Sequence, residues 1–170
     1  MVSPDLTGST GSTGPSGYPR WIHEGSCLRQ VSERLHVGGM GAFERIACAA
    51  WIDLAEDEIR ATAPALANRR DRLAMRLAPE HRLRVQVEDG RILPPWVFDR
   101  SLALVTSTRG PVLVSCAVGI SRSASVAYAL LRALDGLSHD EAYGRVEFEG
   151  WPRKSGSPLT SARAWVEGRQ

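Results

Sequence analysis

This 170-residue sequence contains few cysteines, one lysine and almost no net charge, and these features argue against several kinds of site and partner. Its three cysteines, Cys27, Cys48 and Cys116, form neither a Cys-x-x-Cys motif nor an even set. We therefore expect no disulfide framework, no metal site and a reducing compartment. Lys154 is the only lysine, and the formal net charge is only +2. A balance so close to zero gives no reason to expect nucleic acid or a membrane surface as a partner.

Long apolar runs and targeting segments are missing as well. No stretch reaches the roughly 18 consecutive apolar residues that a membrane-spanning helix needs. Residues 1–5 carry neither the basic cluster nor the apolar core of a signal peptide. We therefore expect a cytoplasmic protein. We also expect a monomer, and no cofactor.

Composition divides the chain into a tail and one domain. Residues 1–20 contain the run LTGSTGSTGPSG, which is almost entirely Gly, Ser, Thr and Pro. Such a segment cannot offset the entropy lost on ordering, so we expect a flexible tail. Residues 21–170 are long enough for one domain, and the chain as a whole is 43% hydrophobic and 24% charged, as globular proteins are.

Short apolar strands alternate with helical stretches along that domain. The predicted strands are 28–31, 35–37, 49–54, 82–87 and 112–114. The predicted helices are 42–47, 56–77 with a break at Pro64, 95–109, 121–134, one capped by Ser138 with Glu141, and 157–166. This alternation predicts a three-layer α/β fold, in which a central, mostly parallel or mixed sheet is flanked by helices.

One loop combines residue types that together suit a phosphate. Cys116 follows the predicted strand 112–114, and five residues separate it from Arg122, where a helix begins. The other two cysteines lack an arginine at this spacing. The N–H groups of such a loop and of the helix N-terminus hold an anion without a metal, and Gly119 allows a positive φ there. Arg122 can donate two parallel hydrogen bonds to phosphate oxygens.

The same loop suits a nucleophile. Its positive field favours the thiolate form of Cys116, and Ser123 places a hydroxyl within reach of the sulfur. The plainer interpretation is a buried structural cysteine followed by a solvated Arg122. That interpretation leaves Gly119, Ser121 and Ser123 unexplained, so we favour a loop that handles phosphate.

The segment VLVSCAVGISRSAS resembles the signature loop of the dual-specificity branch of the protein-tyrosine phosphatase superfamily, which carries Cys-x-x-Gly-x-Ser-Arg-Ser after an apolar strand. LHVGG and WIDLAEDE occur in the family's order, so the resemblance extends over most of residues 28–167. It implies that Cys116 is the nucleophile, Arg122 the phosphate clamp and Ser123 the hydroxyl that assists thiolate departure. It also implies a phosphate-binding set consisting of Ala117, Val118, Gly119, Ile120, Ser121 and Arg122.

The sequence departs from that family at the position before the cysteine. Family members usually carry histidine there, and this chain carries Ser115. The histidine helps to order the loop and to acidify the thiol. Its replacement therefore puts the catalytic rate in question more than phosphate binding.

Ester cleavage also needs a proton donor, which the family supplies as an aspartate upstream of the signature strand. Asp89 lies after a predicted strand and before a loop that contains prolines, so the resemblance implies that Asp89 is the general acid. The alternatives are a simple turn formed with Gly90, and Glu88 as the acid instead. Asp99 falls within a helical pattern and is a poorer candidate.

The tryptophans have structural explanations. Trp151-Pro152 resembles the acid loop of larger tyrosine phosphatases but follows the signature loop in the chain. We therefore expect Trp151, like Trp51 and Trp165, to pack on the core. Trp96 follows the candidate acid and either packs in the core or forms a wall of the pocket.

Arg69, Arg70 and Arg72 form a basic run in a helical stretch. This run predicts a solvated helix face. A docking surface for an acidic partner is the alternative.

Three functions remain open. The first is metal-independent hydrolysis of phosphomonoesters through a cysteinyl-phosphate, with a phosphorylated protein (on tyrosine, serine or threonine) as substrate and partner. The second is a catalytically weak phosphate-binding pseudophosphatase, limited by Ser115 and an incomplete acid. The third is a thiol-based arsenate reductase or sulfurtransferase. An arsenate reductase needs a resolving cysteine, and Cys27 and Cys48 are both far from Cys116 in sequence.

Overall fold

The computed structural model describes residues 27–62, 64–147 and 157–169. The predicted tail, residues 1–20, and Trp151-Pro152 lie outside these ranges. Within them, no helix combines the length and the apolar character that crossing a membrane requires.

Five strands form one mixed sheet within the described ranges. They are β1 (Leu28–Gln30), β2 (Leu35–Gly38), β3 (Ala50–Asp53), β4 (Arg82–Arg84) and β5 (Val112–Ser115). The spatial order is β1-β2-β5-β3-β4, with β1 antiparallel to β2 and every other pair parallel. The predicted α/β fold with a mostly parallel sheet is confirmed. β4 ends at Arg84 rather than at Val87, because Gln86 pairs with Ala55 only through an isolated bridge.

Six α-helices flank this sheet in the described part of the chain. They are α1 (Glu56–Thr62), α2 (Pro64–Ala74), α3 (Pro95–Ser107), α4 (Arg122–Leu134), α5 (His139–Val146) and α6 (Ser157–Glu167). Short 3₁₀ helices cover Ala42–Glu44 and Pro79–His81. The capping box predicted for α5 is confirmed, because Ser138 Oγ accepts from the Glu141 N–H while the Glu141 carboxylate accepts from the Ser138 N–H.

The central strand β5 and helix α4 are both deeply buried. All four residues of β5 are buried, as are residues 122–131 of α4. The loop 116–121 joins the two at the carboxyl edge of the parallel strands. In α/β folds this edge is where ligands bind, because the loops that leave the strands meet there.

Two of the three tryptophans expected in the core are observed there. Trp51 stacks on Phe43 with 5.3 Å between ring centroids, and Trp165 stacks on Phe98 at 5.4 Å. Trp96 is 46% exposed and therefore does not pack in the core.

The prediction of a solvated face for the arginines of α2 is wrong for Arg70. Arg69 and Arg72 are exposed, and Arg69 pairs with Glu44 at 2.8 Å. Arg70 is buried and pairs with Asp53 at 2.6 Å. A carboxylate at the end of β3 thus neutralises the buried guanidinium, which makes its burial tolerable. The two partners are distant in sequence, so the local pattern contains only the arginines.

Candidate active site

Cys116 lies at the carboxyl end of β5, and its sulfur has two polar neighbours. The residue is 2% exposed. The Gly119 N–H donates to Cys116 Sγ at 3.2 Å, and Ser123 Oγ lies 3.3 Å from the same atom. The sulfur therefore lies against one backbone N–H donor from the loop and one hydroxyl from the first turn of α4.

The carbonyl groups of the loop after Cys116 point toward β1 and the turn that follows β2. The Met40 N–H donates to Ala117 O at 3.0 Å, and Arg29 donates to Gly119 O at 3.3 Å. In a trans peptide the C=O and the N–H point in opposite directions. The N–H group that follows each of these carbonyls is therefore directed to the other side of the loop. Several N–H groups on one side of a loop suit an anion.

Glycines allow this loop to touch the end of β2. Gly119 has a φ of +86°, which confirms the expected positive φ. A Cβ on Gly119 would lie 2.6 Å from backbone atoms of Gly38 and Gly39, and a Cβ on Gly39 would lie 2.9 Å from Val118 O. The Cys116 N–H donates to Gly38 O at 3.2 Å. Gly39 and Gly119 therefore matter to the site because they let two backbones approach each other.

The other loop residues occupy the rest of the turn into α4. Ser121 precedes the first residue of α4, and its carbonyl accepts from the Ser125 N–H at 2.9 Å. Three loop residues are half-buried, namely Val118, Ile120 and Ser121.

Arg122 begins α4 and is 1% exposed. Its Nη1 donates to Val87 O at 2.7 Å, and its Nη2 donates to Glu58 Oε2 at 2.7 Å. Its Nε is buried and has no hydrogen-bond partner in the described part of the chain, although Asp89 Oδ1 lies 3.5 Å away. A buried donor left unpaired costs about 1–3 kcal/mol, so an anion oxygen that reached this Nε would be bound favourably.

The charge of Arg122 is secured by its surroundings. Burial alone lowers the pKa of the guanidinium, but the interactions with Cys116, Glu58 and Asp89 outweigh burial and raise that pKa above its usual value. Sequence reasoning did not single out Glu58. It is the last of three consecutive acidic residues, 56–58, and nothing in the pattern separates it from the other two.

Of the three acidic residues considered as proton donors, Asp89 lies closest to the requirement. Its side chain is 54% exposed, beside the guanidinium of Arg122. Glu88 is 73% exposed and pairs with an arginine three positions along, and Asp99 accepts from Trp165 Nε1 at 3.0 Å. Of the three, Asp89 is thus the one that is both half-exposed to water and beside the Arg122 guanidinium.

Ser115 occupies the position at which the resembling family usually carries histidine. Ser115 is buried at the end of β5, and Trp51 Nε1 donates to its Oγ at 2.8 Å. Trp51 pairs with Leu113 across the β3–β5 ladder, so its side chain shares a face with Ser115, two residues further on. The position before Cys116 therefore carries a buried hydrogen bond, formed with an indole from the neighbouring strand.

Cys27 lies against the same loop, despite its distance in sequence. Its Sγ is 3.9 Å from Gly119 O, and its carbonyl accepts from the Gly39 N–H at 2.8 Å. Burial raises the pKa of the Cys27 thiol and that of the Cys48 thiol. Raised pKa values keep both thiols protonated near neutral pH, which makes each a poor resolving nucleophile.

Comparison with known proteins gives matches in structure. No protein-family profile matches the sequence, and no curated protein matches it. Tk-PTP in its active form is 18% identical with a TM-score of 0.59, and the match covers 82% of this chain and 96% of that chain. Human DUSP28 is 21% identical with a TM-score of 0.56, covering 84% and 95%.

A third structure has the same fold. It is described as human tyrosine phosphatase-like serine/threonine/tyrosine-interacting protein and is 15% identical, with a TM-score of 0.56 and coverage of 84% and 97%. Each match extends over nearly all of the solved chain. The likeness establishes that this chain shares their fold.

Proposed function

We propose that this chain, which shares its fold with the protein-tyrosine and dual-specificity phosphatases, hydrolyses phosphomonoesters through a cysteinyl-phosphate, without a metal. The observation that carries the proposal is the set of groups around one sulfur: the Gly119 N–H, the Ser123 hydroxyl and the buried charge of Arg122. A nucleophile, a phosphate clamp and a leaving-group partner are thereby held on one rigid turn between β5 and α4.

In the first step the Cys116 thiolate attacks phosphorus. The S–P bond forms as the bond from phosphorus to the ester oxygen breaks, and Asp89 donates its proton to that departing oxygen. Arg122 and the loop N–H groups hold the non-bridging oxygens while their charge is redistributed. The Nε of Arg122 is the donor best suited to this task, because it has no hydrogen-bond partner among the described residues.

In the second step water hydrolyses the intermediate. The Asp89 carboxylate takes a proton from the water while the water oxygen attacks phosphorus, and the S–P bond breaks. Ser123 donates a hydrogen bond to the departing thiolate of Cys116, from the 3.3 Å separation already present. The products are the alcohol or phenol, inorganic phosphate and the regenerated enzyme.

We propose phosphorylated proteins as the substrates, on phosphotyrosine and on phosphoserine or phosphothreonine. The support is the signature sequence of the dual-specificity type together with the fold shared with human DUSP28. The proposed partner is therefore a phosphoprotein. Neither nucleic acid nor a membrane surface is proposed, because the net charge is only +2.

A trapping experiment tests this function. The enzyme is mixed with p-nitrophenyl phosphate in EDTA and reductant, quenched in acid during turnover, digested and analysed by mass spectrometry. We expect turnover in EDTA and the mass of one phosphoryl group on the peptide that contains Cys116. Two results would contradict the mechanism. One is loss of turnover in EDTA that a divalent metal restores, and the other is a phosphoryl group on any residue other than Cys116.

Replacing Asp89 by asparagine is expected to slow hydrolysis of phosphotyrosine peptides by about 10²-fold, because proton transfer to a poor leaving group contributes on that order. With an aryl phosphate whose phenol is strongly acidic, we expect little change, since that leaving group needs no proton. The matched control is Glu88→Gln, measured on both substrates. A larger loss in the control than in Asp89→Asn would assign the acid to Glu88 instead.

The alternative function is phosphate binding with weak or no turnover. It is favoured by Ser115 in place of histidine and by the position of Asp89, which is half-exposed and directed at Arg122. A phosphate needs only the loop N–H groups and the guanidinium, so binding does not depend on either feature. Affinity for orthovanadate or phosphopeptide without detectable turnover would identify this alternative.

A further inference from the structure

Arg70 and Arg122 are the two largest fully buried side chains among the described residues, and both carry a charge. The proposed phosphatase chemistry uses Arg122 but not Arg70. The Nη2 of Arg70 pairs with Asp53 at 2.6 Å, and its Nη1 donates to Met40 O at 2.7 Å. The rings of Phe43 and Trp51 lie 5.2 and 4.7 Å from the guanidinium carbon. Ion pairing, a hydrogen bond and two aromatic contacts together fix both the position and the plane of this group.

Two of these partners lead directly to the loop of Cys116. Trp51, in contact with the guanidinium, donates from its indole N–H to Ser115 Oγ at 2.8 Å. Met40, whose carbonyl accepts from Arg70, donates from its N–H to Ala117 O at 3.0 Å. Ser115 and Ala117 are the residues immediately before and after the nucleophile. One buried cation therefore orients the donors to both neighbours of Cys116.

We propose that Arg70 is a positioning residue for Cys116, and that it acts through Trp51 on Ser115 and through Met40 on Ala117. This inference rests on the proposed function. The Trp51–Ser115 and Met40–Ala117 hydrogen bonds thereby hold the residues on either side of Cys116. Burial of a charged pair is costly, and an ordering role accounts for its presence beside this loop.

The indole N–H offers a test with a closely matched control. Trp51→Phe keeps the ring contacts with Phe43 and Arg70 but removes the donor to Ser115. Trp165→Phe removes an equivalent bond, because Trp165 stacks on Phe98, lies 4.7 Å from the Arg169 guanidinium and donates to Asp99 at 3.0 Å. None of those three partners belongs to the loop. The two variants therefore differ in the acceptor that loses its hydrogen bond, which is Ser115 beside Cys116 in one and Asp99 in the other.

We expect Trp51→Phe to lower kcat for p-nitrophenyl phosphate by about 3- to 10-fold, the rate equivalent of one hydrogen bond, with KM nearly unchanged. The inhibition constant of orthovanadate, which bonds to Sγ as a transition-state analogue, should rise by a similar factor, while that of inorganic phosphate should not. Trp165→Phe should lower Tm without changing either constant. Equal effects of the two variants on kcat and on vanadate affinity would overturn the proposal.

A double-mutant cycle tests the route through Ser115. In a Ser115→Ala background, Trp51→Phe should cost no further kcat or vanadate affinity, because its acceptor is already gone. Fully additive losses would overturn this route. Arg70→Lys keeps the charge beside Asp53 but loses the planar fork, and it should show the same split between vanadate and phosphate. If Arg70→Lys fails to fold, Asp53→Asn, which removes the ion-pair partner of Arg70, takes its place in the same comparison, and unchanged vanadate affinity would overturn the role of Arg70.

Failure of the proposed function gives a different result. If the unmodified chain forms no phosphocysteine and turns over no substrate, vanadate affinity measured by calorimetry still separates Trp51→Phe from Trp165→Phe. Equal vanadate affinities of these two variants would then overturn the positioning role by itself.

Discussion

Replacing Cys116 by serine is expected to abolish turnover and to leave phosphate binding in place. Removal of an enzyme's nucleophile costs on the order of 10⁴- to 10⁶-fold in kcat, because no other group can form the covalent intermediate. A serine hydroxyl in the same buried position meets the Gly119 N–H and the Ser123 hydroxyl, but it is mostly protonated and a far weaker nucleophile. Steady-state hydrolysis and calorimetric titration with phosphate measure the two properties separately.

The remaining cysteines provide the controls. Cys48→Ser should retain turnover, since Cys48 is half-buried and packs against the cluster around Phe43. Cys27→Ser examines the arsenate-reductase alternative, which needs a second, resolving cysteine, because Cys27 is the cysteine that packs against the loop through Gly119. A loss in Cys27→Ser as large as that in Cys116→Ser would contradict the single-thiol mechanism and indicate chemistry that needs two thiols.

The fold was predictable because its signals are local. Each signal lies within a few neighbouring residues, as in the apolar run of β5, the break at Pro64 and the Ser138–Glu141 capping box. Alternation of strands and helices then restricts the sheet to a mostly parallel one. What the pattern could not determine was where β4 ends, because Gln86 pairs with Ala55, far away in the chain.

The candidate site was predictable only where it is contiguous in sequence. Cys116, Gly119 and Arg122 share one turn, so their spacing is itself a signal. Glu58 contacts Arg122, and Arg70 contacts the neighbours Trp51 and Met40 of that turn, because β3 lies next to β5 in the sheet. Strand order is not encoded by any local pattern. The burial of Arg70 depends on Asp53, a partner at the end of β3, so the prediction from the basic run alone placed Arg70 wrongly in solvent.

Replacing Arg122 by lysine is expected to lower kcat/KM by roughly 10³-fold and to weaken phosphate binding, although the charge is conserved. Loss of one well-placed donor to a transition-state oxyanion costs about 10²–10³-fold, and here the geometry of several donors is lost together. Hydrolysis of p-nitrophenyl phosphate and competition by inorganic phosphate measure both effects. The matched control is Arg132→Lys on the same helix, whose guanidinium donates to the Tyr128 hydroxyl at 3.3 Å.

The reason lysine fails lies in how the guanidinium divides its donors. Nη1 is committed to Val87 O and Nη2 to Glu58, each at 2.7 Å, while Nε is buried without a hydrogen-bond partner among the described residues and lies 3.5 Å from Asp89 Oδ1. The backbone and Glu58 thus hold the plane of the group, and Nε is left for the phosphate. An ammonium has no such division, so a contact with Glu58 or Val87 would draw its charge away from the substrate. Glu58→Gln, which keeps an acceptor for Nη2, should therefore cost far less than Arg122→Lys, and equal losses would show that Glu58 contributes through its charge.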